Sequence, residues 1–472
     1  MALDSTMALI AVAPGSFTFS IELARQLMQI IDRAPREWAI RLSPEAFEML
    51  DGRRGPLPGA TSLASVLDGR WLVSADHETH KLVSCLDRLA KCGGNFYGEL
   101  EAAGVILVRA TVEPTLNGGS FCQVRLRQSG ELVVVGKTSE DMLAGDPDAG
   151  LRLTREVTWL RGLSRSAGAL FAPLLATQAN GLGYTARFLH SYTLSERLFH
   201  GTLDADAAVA MLGETLSSLR RDLYGMPCKA AAEDTYSDKL TRRLHRLTSA
   251  SGDATMLKEL MACERLVING TECLGLPGLI ASGLERRLDR LNGLLPREQA
   301  HGDLILDDIV CPRQDRCYLV DPSGTGSSRV YDVGKLGLSL CSYYEFFKYD
   351  RFTIDRDLST SIPSINITIG MDEVRRTYDQ IAMALPTLLR DTGVFDARNC
   401  LSGEDFLLLN GAQNLALPMF HSLRHHKHER ALAFMTMGIL RLNQYLNMMN
   451  RAVPTTLDTV IDNLGAELAL VG

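Results

Sequence analysis

The chain has 472 residues, enough for about two to four domains at roughly 100–200 residues each. Hydrophobic residues make up 46% and charged residues 22%, which excludes a disordered or fibrous chain. With 49 basic and 56 acidic side chains the formal net charge is -7, so no overall basic field exists to attract nucleic acid.

Met7–Pro14 is apolar, and Asp4 is the only charge before it. It has no basic leader, so it reads as a buried strand and not as a signal peptide. No apolar run approaches the ~18–20 residues that cross a bilayer. The 10 cysteines (85, 92, 122, 228, 263, 273, 311, 317, 341 and 400) contain no C-x-x-C pair. Free thiols in a reducing cytoplasm are the expectation, without a disulfide framework or structural zinc.

In chain order, Met7–Val12 predicts a strand, Glu22–Ile31 a helix, Trp38–Leu42 a strand and Pro44–Leu50 a short helix. Gly52–Gly59 is a loop by its Gly and Pro content. Arg70–Ala75 predicts a strand and Lys81–Cys92 a helix, completing a small α/β unit over 1–105 with no legible activity. Val105–Val112 is strand-like. Asn117-Gly118-Gly119-Ser120 then leads into Phe121–Arg127, the turn Ser129-Gly130 and Leu132–Val135. That pattern is a hairpin whose Gly-Gly entry must bend sharply or lie close to something.

A helix over Gly150–Leu163 and a strand over Gly183–Leu189 follow. Beyond 193 the chain reads as helical, except for a β-like island around 300–322. A β-rich small half before a long helical half predicts two lobes with a cleft between them. The boundaries fall at 106–190 for the small lobe, 191–455 for the helical lobe and 456–472 for a tail.

The chemistry concentrates in HGDLILDDIV (His301–Val310) and CYLVDPSG (Cys317–Gly324). Asp303, Asp308 and Asp321 are carboxylates at loop mouths and a strand end. Mg²⁺ is held by few protein oxygens and completes its shell with water and substrate phosphates. Asp308 and Asp321 suit that role. Phosphoryl transfer also needs an Asp that orients the attacking hydroxyl, and Asp303 supplies it. Lys137, at the end of the hairpin's second strand, and Glu156, on the next helix, suit the lysine–glutamate pair that aims an ammonium at nucleotide phosphates. The loop Gly118, Gly119, Ser120 suits a backbone cover for those phosphates.

This order of motifs resembles the aminoglycoside phosphotransferase and choline kinase branch of the protein-kinase-like fold. More narrowly, LNGGSF, VVVGKTS, YTARFL, Val267–Gly270, HGDL, LVDPSG and YDVGKL look like the kinase-like proteins encoded with capsular polysaccharide genes. The resemblance implies an α+β, two-lobed architecture with a β-rich N-lobe and a mostly helical C-lobe. It also implies ATP and Mg²⁺ as cofactors, and a small-molecule acceptor such as a sugar hydroxyl. On it, Asp303 matches the catalytic-loop aspartate and Asp321 the metal-binding aspartate. Tyr184–Leu189, with Arg187 and Phe188, matches the strand leading to the adenine-contacting hinge. Asp332 matches a buried aspartate supporting the catalytic loop.

One residue departs from the pattern: the family usually has Asn where this chain has Asp308. A catalytically silent nucleotide-binding or scaffolding protein therefore stays open beside the kinase, as does transfer of a nucleotidyl group.

Other motifs carry blander readings. Gly136-Lys137-Thr138 lacks the leading glycine of a P-loop, and Val133–Val135 favours a strand. His421, His425 and His428 would share a helix face, yet Arg424, Lys427 and Arg430 disfavour a cation, so a solvated basic helix is expected. Asp76-His77-x-x-His80 is short of metal ligands. The Met and Leu run over 432–449 is at helical spacing and predicts core.

Overall fold

The computed structural model describes the backbone at 8–12, 38–41, 71–73, 105–107, 123–129 and 132–138, and from 147 to 461 apart from 179–180, 182, 188, 190–191, 229–235, 250–254, 295–297, 314–315, 324–326, 396–400, 425–426 and 451–455. Side chains are described from Leu153 onward. The chain mixes helix and sheet and divides into two units. The first comprises Met1–Leu153, Ala172–Leu203 and Val310–Pro312, and the second Thr154–Phe171, Asp204–Ile309 and Arg313–Gly472.

The first unit holds two sheets. Strands β1 (Ala8–Val12), β2 (Trp38–Arg41), β3 (Trp71–Val73) and β4 (Val105–Leu107) pair in the order β3-β2-β1-β4, with β1 and β2 parallel. All four lie where the sequence pattern puts strands. The helices expected at Glu22–Ile31, Pro44–Leu50 and Lys81–Cys92 lie outside the described residues.

The second sheet is antiparallel, in the order β5-β6-β8-β7, from β5 (Gln123–Ser129), β6 (Leu132–Thr138), β7 (Leu174–Thr177) and β8 (Gly183–Arg187). Val133–Val135 sit inside β6, as β-branched residues prefer. Lys137 is also a strand residue, in register with Val124 on one side and Tyr184 on the other. Helix α1 (Pro147–Gly162) follows.

The second unit is mainly helical. Its centre is α9 (Arg329–Ser342), buried from Val330 to Ser342. Its N-terminus is capped by the Ser328 side chain, which accepts from the Tyr331 N–H. Beside it run α11 (Asp372–Asp391) and α12 (Gly403–Leu415), and α13 (His428–Met449) packs on α12. Helices α12 and α13 cross closely, and glycines make the approach. A Cβ on Gly411 would stand 2.7 Å from Leu442, and one on Gly438 would stand 2.7 Å from Leu415. The Met and Leu run lies in α13 and is core: Leu432, Phe434, Met435, Met437, Ile439 and Leu442 are buried.

Three expectations fail here. The region beyond 193 contains a four-stranded sheet besides its helices, in the order β10-β9-β14-β13: β9 (Arg265–Ile268), β10 (Thr271–Leu274), β13 (Phe352–Asp357) and β14 (Ser364–Ile369). Asn269 and Gly270 turn the first hairpin with φ of 47° and 74°, the backbone a two-residue type I′ turn requires. The Asn269 side chain also accepts from the Ile367 N–H at 2.8 Å, extending the pairing of β9 with β14.

The histidine segment is not one solvated helix. A π-helical turn over Phe420–Arg424 precedes α13, and His421 is buried with its ring stacked on Phe434 at 4.8 Å. Apolar burial wins over the local charge. His425 and His426 lie outside the described residues.

Cys228, Cys263, Cys273 and Cys341 are in no disulfide, but Cys311 and Cys317 are disulfide-bonded. Cys311 stands in β11 (Ile309–Arg313) and Cys317 in β12 (Arg316–Leu319). Among the described residues no helix is long and apolar enough to cross a membrane.

Candidate active site

The HGD segment is bent into a tight loop held from behind by one carboxylate. Asp332, fully buried on α9, accepts from the His301 N–H at 2.9 Å, the Gly302 N–H at 2.6 Å and the Tyr224 hydroxyl at 3.0 Å. Burial pushes the Asp332 carboxyl up to about 7, against the pull of those three donors. Gly302 has φ +78°, and a Cβ there would lie 2.0 Å from Ser323 Oγ. Only glycine fits that conformation and that space.

The His301 ring is buried, stacks on Phe171 at 6.0 Å, and places Nε2 2.9 Å from the Val320 carbonyl. Its Nδ1 accepts from the Asp303 N–H at 3.3 Å. An acceptor Nδ1 puts the ring proton on Nε2, where it can donate to Val320. Histidine thus ties the catalytic-loop candidate to the strand end that carries Asp321. The Ser323 N–H donates to the His301 carbonyl at 2.9 Å, a second tie between the same segments.

Asp303 is partly exposed and forms an ion pair with Lys335 Nζ at 2.7 Å. Lys335 lies on α9, one turn beyond Asp332. Burial would lower its pKa, but Asp303 and Tyr331 outweigh that and raise it, so the ammonium stays charged. This lysine was not singled out from sequence. Its signal is the spacing in YDVGKL, where residues 332 and 335 face the same side of a helix.

The doublet Asp307–Asp308, in the 3₁₀ turn Leu306–Asp308, splits into two environments. Asp307 pairs with Lys348 and accepts from the Tyr349 hydroxyl at 2.9 Å. Its charge is therefore neutralised by its own lysine. Asp308 is 2% exposed, and its Oδ1 has no hydrogen-bond partner. Burial raises its pKa well above the carboxylate range, and Asp321, Asp303 and Asp307 add to that against Lys348. A carboxyl so placed takes up a proton or a cation.

Asp321 adopts φ +55°, a left-handed conformation rare for non-glycine residues and concentrated at functional sites. Among the described residues no group of three or more His, Cys, Asp or Glu forms a metal cage. Two carboxylates with one buried, unpartnered oxygen fit Mg²⁺, which needs few protein ligands.

The remaining sequence-predicted residues are distributed as follows. Glu156 is buried on α1 and belongs to the second unit, while Lys137 belongs to the first. Arg187 ends β8 and is exposed. Gly118, Gly119, Ser120 and Phe188 lie outside the described residues. Asp303, Asp308, Asp321 and Asp332 all belong to the second unit.

No protein-family profile and no curated protein matches the chain. Solved structures show a loose overall likeness. The choline kinase of Streptococcus pneumoniae is 12% identical, with a TM-score of 0.42, over 71% of this chain and 94% of that one. The choline kinase of Cryptosporidium parvum is 10% identical, with a TM-score of 0.39, over 71% and 93%. An ethanolamine kinase of Plasmodium vivax is 12% identical, with a TM-score of 0.35, over 86% and 98%.

Proposed function

We propose that the chain is an ATP- and Mg²⁺-dependent phosphotransferase of the protein-kinase-like type, acting on a hydroxyl of a small molecule. The observation that carries this is the HGD loop. A buried carboxylate on α9 fixes both of its leading amides, and Asp303 emerges beside two further carboxylates, one of them with an unpartnered buried oxygen.

In this reading the acceptor oxygen attacks the γ-phosphorus, a new O–P bond forms, and the bond to the β–γ bridging oxygen breaks. ADP leaves with that bonding pair. Asp303 orients the hydroxyl and takes its proton, and Lys335 holds the Asp303 carboxylate in place. Asp308 and Asp321 are the residues that would hold Mg²⁺, which supplies charge neutralisation on the phosphates when bound. Gly118, Gly119, Ser120, Lys137, Glu156, Arg187 and Phe188 are assigned to the nucleotide on their place in the motif order. A sugar or sugar-derived acceptor in surface polysaccharide synthesis belongs to the same reading.

Single-turnover ATP consumption tests it. Asp303→Ala and Asp321→Ala should each abolish turnover, and unchanged rates in both would remove the proposal.

Asp308 favours a second reading. A third acid at this point opposes nucleotide phosphates where the family has a neutral amide, which suits a silent nucleotide-binding protein. Titration of the melting temperature with ATP discriminates: stabilisation indifferent to Mg²⁺, with no transfer, would favour that reading.

A further inference from the structure

Behind Asp303 the second unit assembles ammonium groups around one phenol. Tyr331 is buried at the start of α9. Its hydroxyl accepts from Lys239 Nζ at 3.0 Å, and that ammonium stands 5.1 Å from the ring centroid. Lys335 Nζ stands 5.9 Å from the same ring while paired with Asp303. Tyr236 stacks on Tyr331 at 5.2 Å, and Arg243, one turn beyond Lys239 on α5 (Tyr236–Ser249), adds a third positive charge felt by Lys335.

Burial and Asp303 would raise the Tyr331 pKa, yet Lys239 and Lys335 outweigh them and lower it. Lys239 is half-buried, and its one described hydrogen bond goes to a neutral phenol. An ammonium bonded to the Tyr331 phenol, whose ring also faces the Lys335 partner of Asp303, and matched among the described residues by that hydroxyl, is poised for an anion. A cationic alcohol would instead meet the Lys239 ammonium.

We propose that the acceptor is itself anionic, a hydroxy compound bearing a carboxylate or phosphate that pairs with Lys239 while its hydroxyl reaches Asp303. This rests on the phosphotransferase reading. The transfer is the one written above, with the acceptor's charge left unchanged at Lys239.

The test uses the full-length chain with Mg²⁺ and ATP, and four matched probes: D-glycerate, glycerol 3-phosphate, glycerol and choline. Melting-temperature titration and ADP release are read for each. The expected result is a response to one or both anions and a weaker one to glycerol and choline, with glycerate and glycerol 3-phosphate separating a carboxylate from a phosphate specificity. Lys239→Met should weaken the anion by about ten- to a hundredfold, the range for a charge-assisted hydrogen bond, and leave the ATP-induced shift in place. Lys239→Arg should restore most of the response, which shows that loss in the methionine variant is not misfolding.

A stronger response to choline or glycerol overturns the proposal, as does an ATP response with no anion response. So does a Lys239→Met variant that weakens ATP and spares the anion. The absence of any ATP·Mg²⁺ response removes the phosphotransferase reading itself and the acceptor role with it.

Discussion

Lys335 Nζ lies 2.7 Å from Asp303 Oδ1, so the proposed catalytic carboxylate is held by a cation from the same helix whose Asp332 holds the loop amides. One helix thereby sets both the backbone and the side chain of the HGD segment. Lys335→Met should lower kcat by about a hundredfold, the scale of losing one preorganised charge, and change the KM for ATP little. Steady-state kinetics on ATP separate the two constants. A large rise in KM with kcat preserved would place Lys335 on the nucleotide instead.

Asp332 predicts a signed dependence on pH. Its folded pKa is raised to about 7, above its value in an unfolded chain. The folded state therefore keeps a proton that the unfolded state has lost. The stabilisation linked to this group is fully present below about pH 4 and is lost as pH rises through about 7. Asp332→Asn should flatten that component of the profile of urea unfolding against pH. It should also loosen the loop, because an amide nitrogen cannot accept from a backbone N–H.

Gly302→Ala should destabilise the protein by about 1–3 kcal/mol through its left-handed backbone, with a steric clash added. The clash is with Ser323, whose Oγ would be 2.0 Å from the new Cβ. Adding Ser323→Gly should recover the steric part and leave the backbone part. Chemical denaturation of the single and double variants divides the two.

Lys348→Met should leave the Asp307 carboxylate buried without its ion-pair partner and lower stability by about 3–5 kcal/mol. Combining it with Asp307→Asn should restore most of the loss. The double-mutant cycle in urea measures the coupling directly.

Asp308→Asn removes a buried acid from the company of three others. In the presence of a chelator it should raise the urea midpoint. Mg²⁺ should stabilise the parent more than the variant, because the second oxygen ligand keeps its place but loses its charge. Asp308→Ala should lose phosphoryl transfer altogether.

The sequence carried the loop and its Asp332 support but left the lysines around it hidden. His301-Gly302-Asp303 and the Asp321 strand end are contiguous patterns, so order and spacing suffice to find them. Lys335, Lys348 and Lys239 reach the site from separate helices. A lone lysine in a helix looks the same whether it meets solvent or a buried carboxylate. The sheet of β9, β10, β13 and β14 was read as helical because four- to six-residue runs are too short for either periodicity to dominate. The Asn269–Gly270 turn was the available signal for its first hairpin. His421 misled for the converse reason: the surrounding arginines and lysines suggested solvent, whereas packing on Phe434 decided its burial.

The single carboxylate that receives both the His301 and Gly302 amides is rooted in a helix buried along nearly its whole length. Those two N–H groups can therefore exchange with deuterium only when α9 itself lets go. Their protection should match that of the helix centre, giving this surface-reaching loop the lifetime of the core.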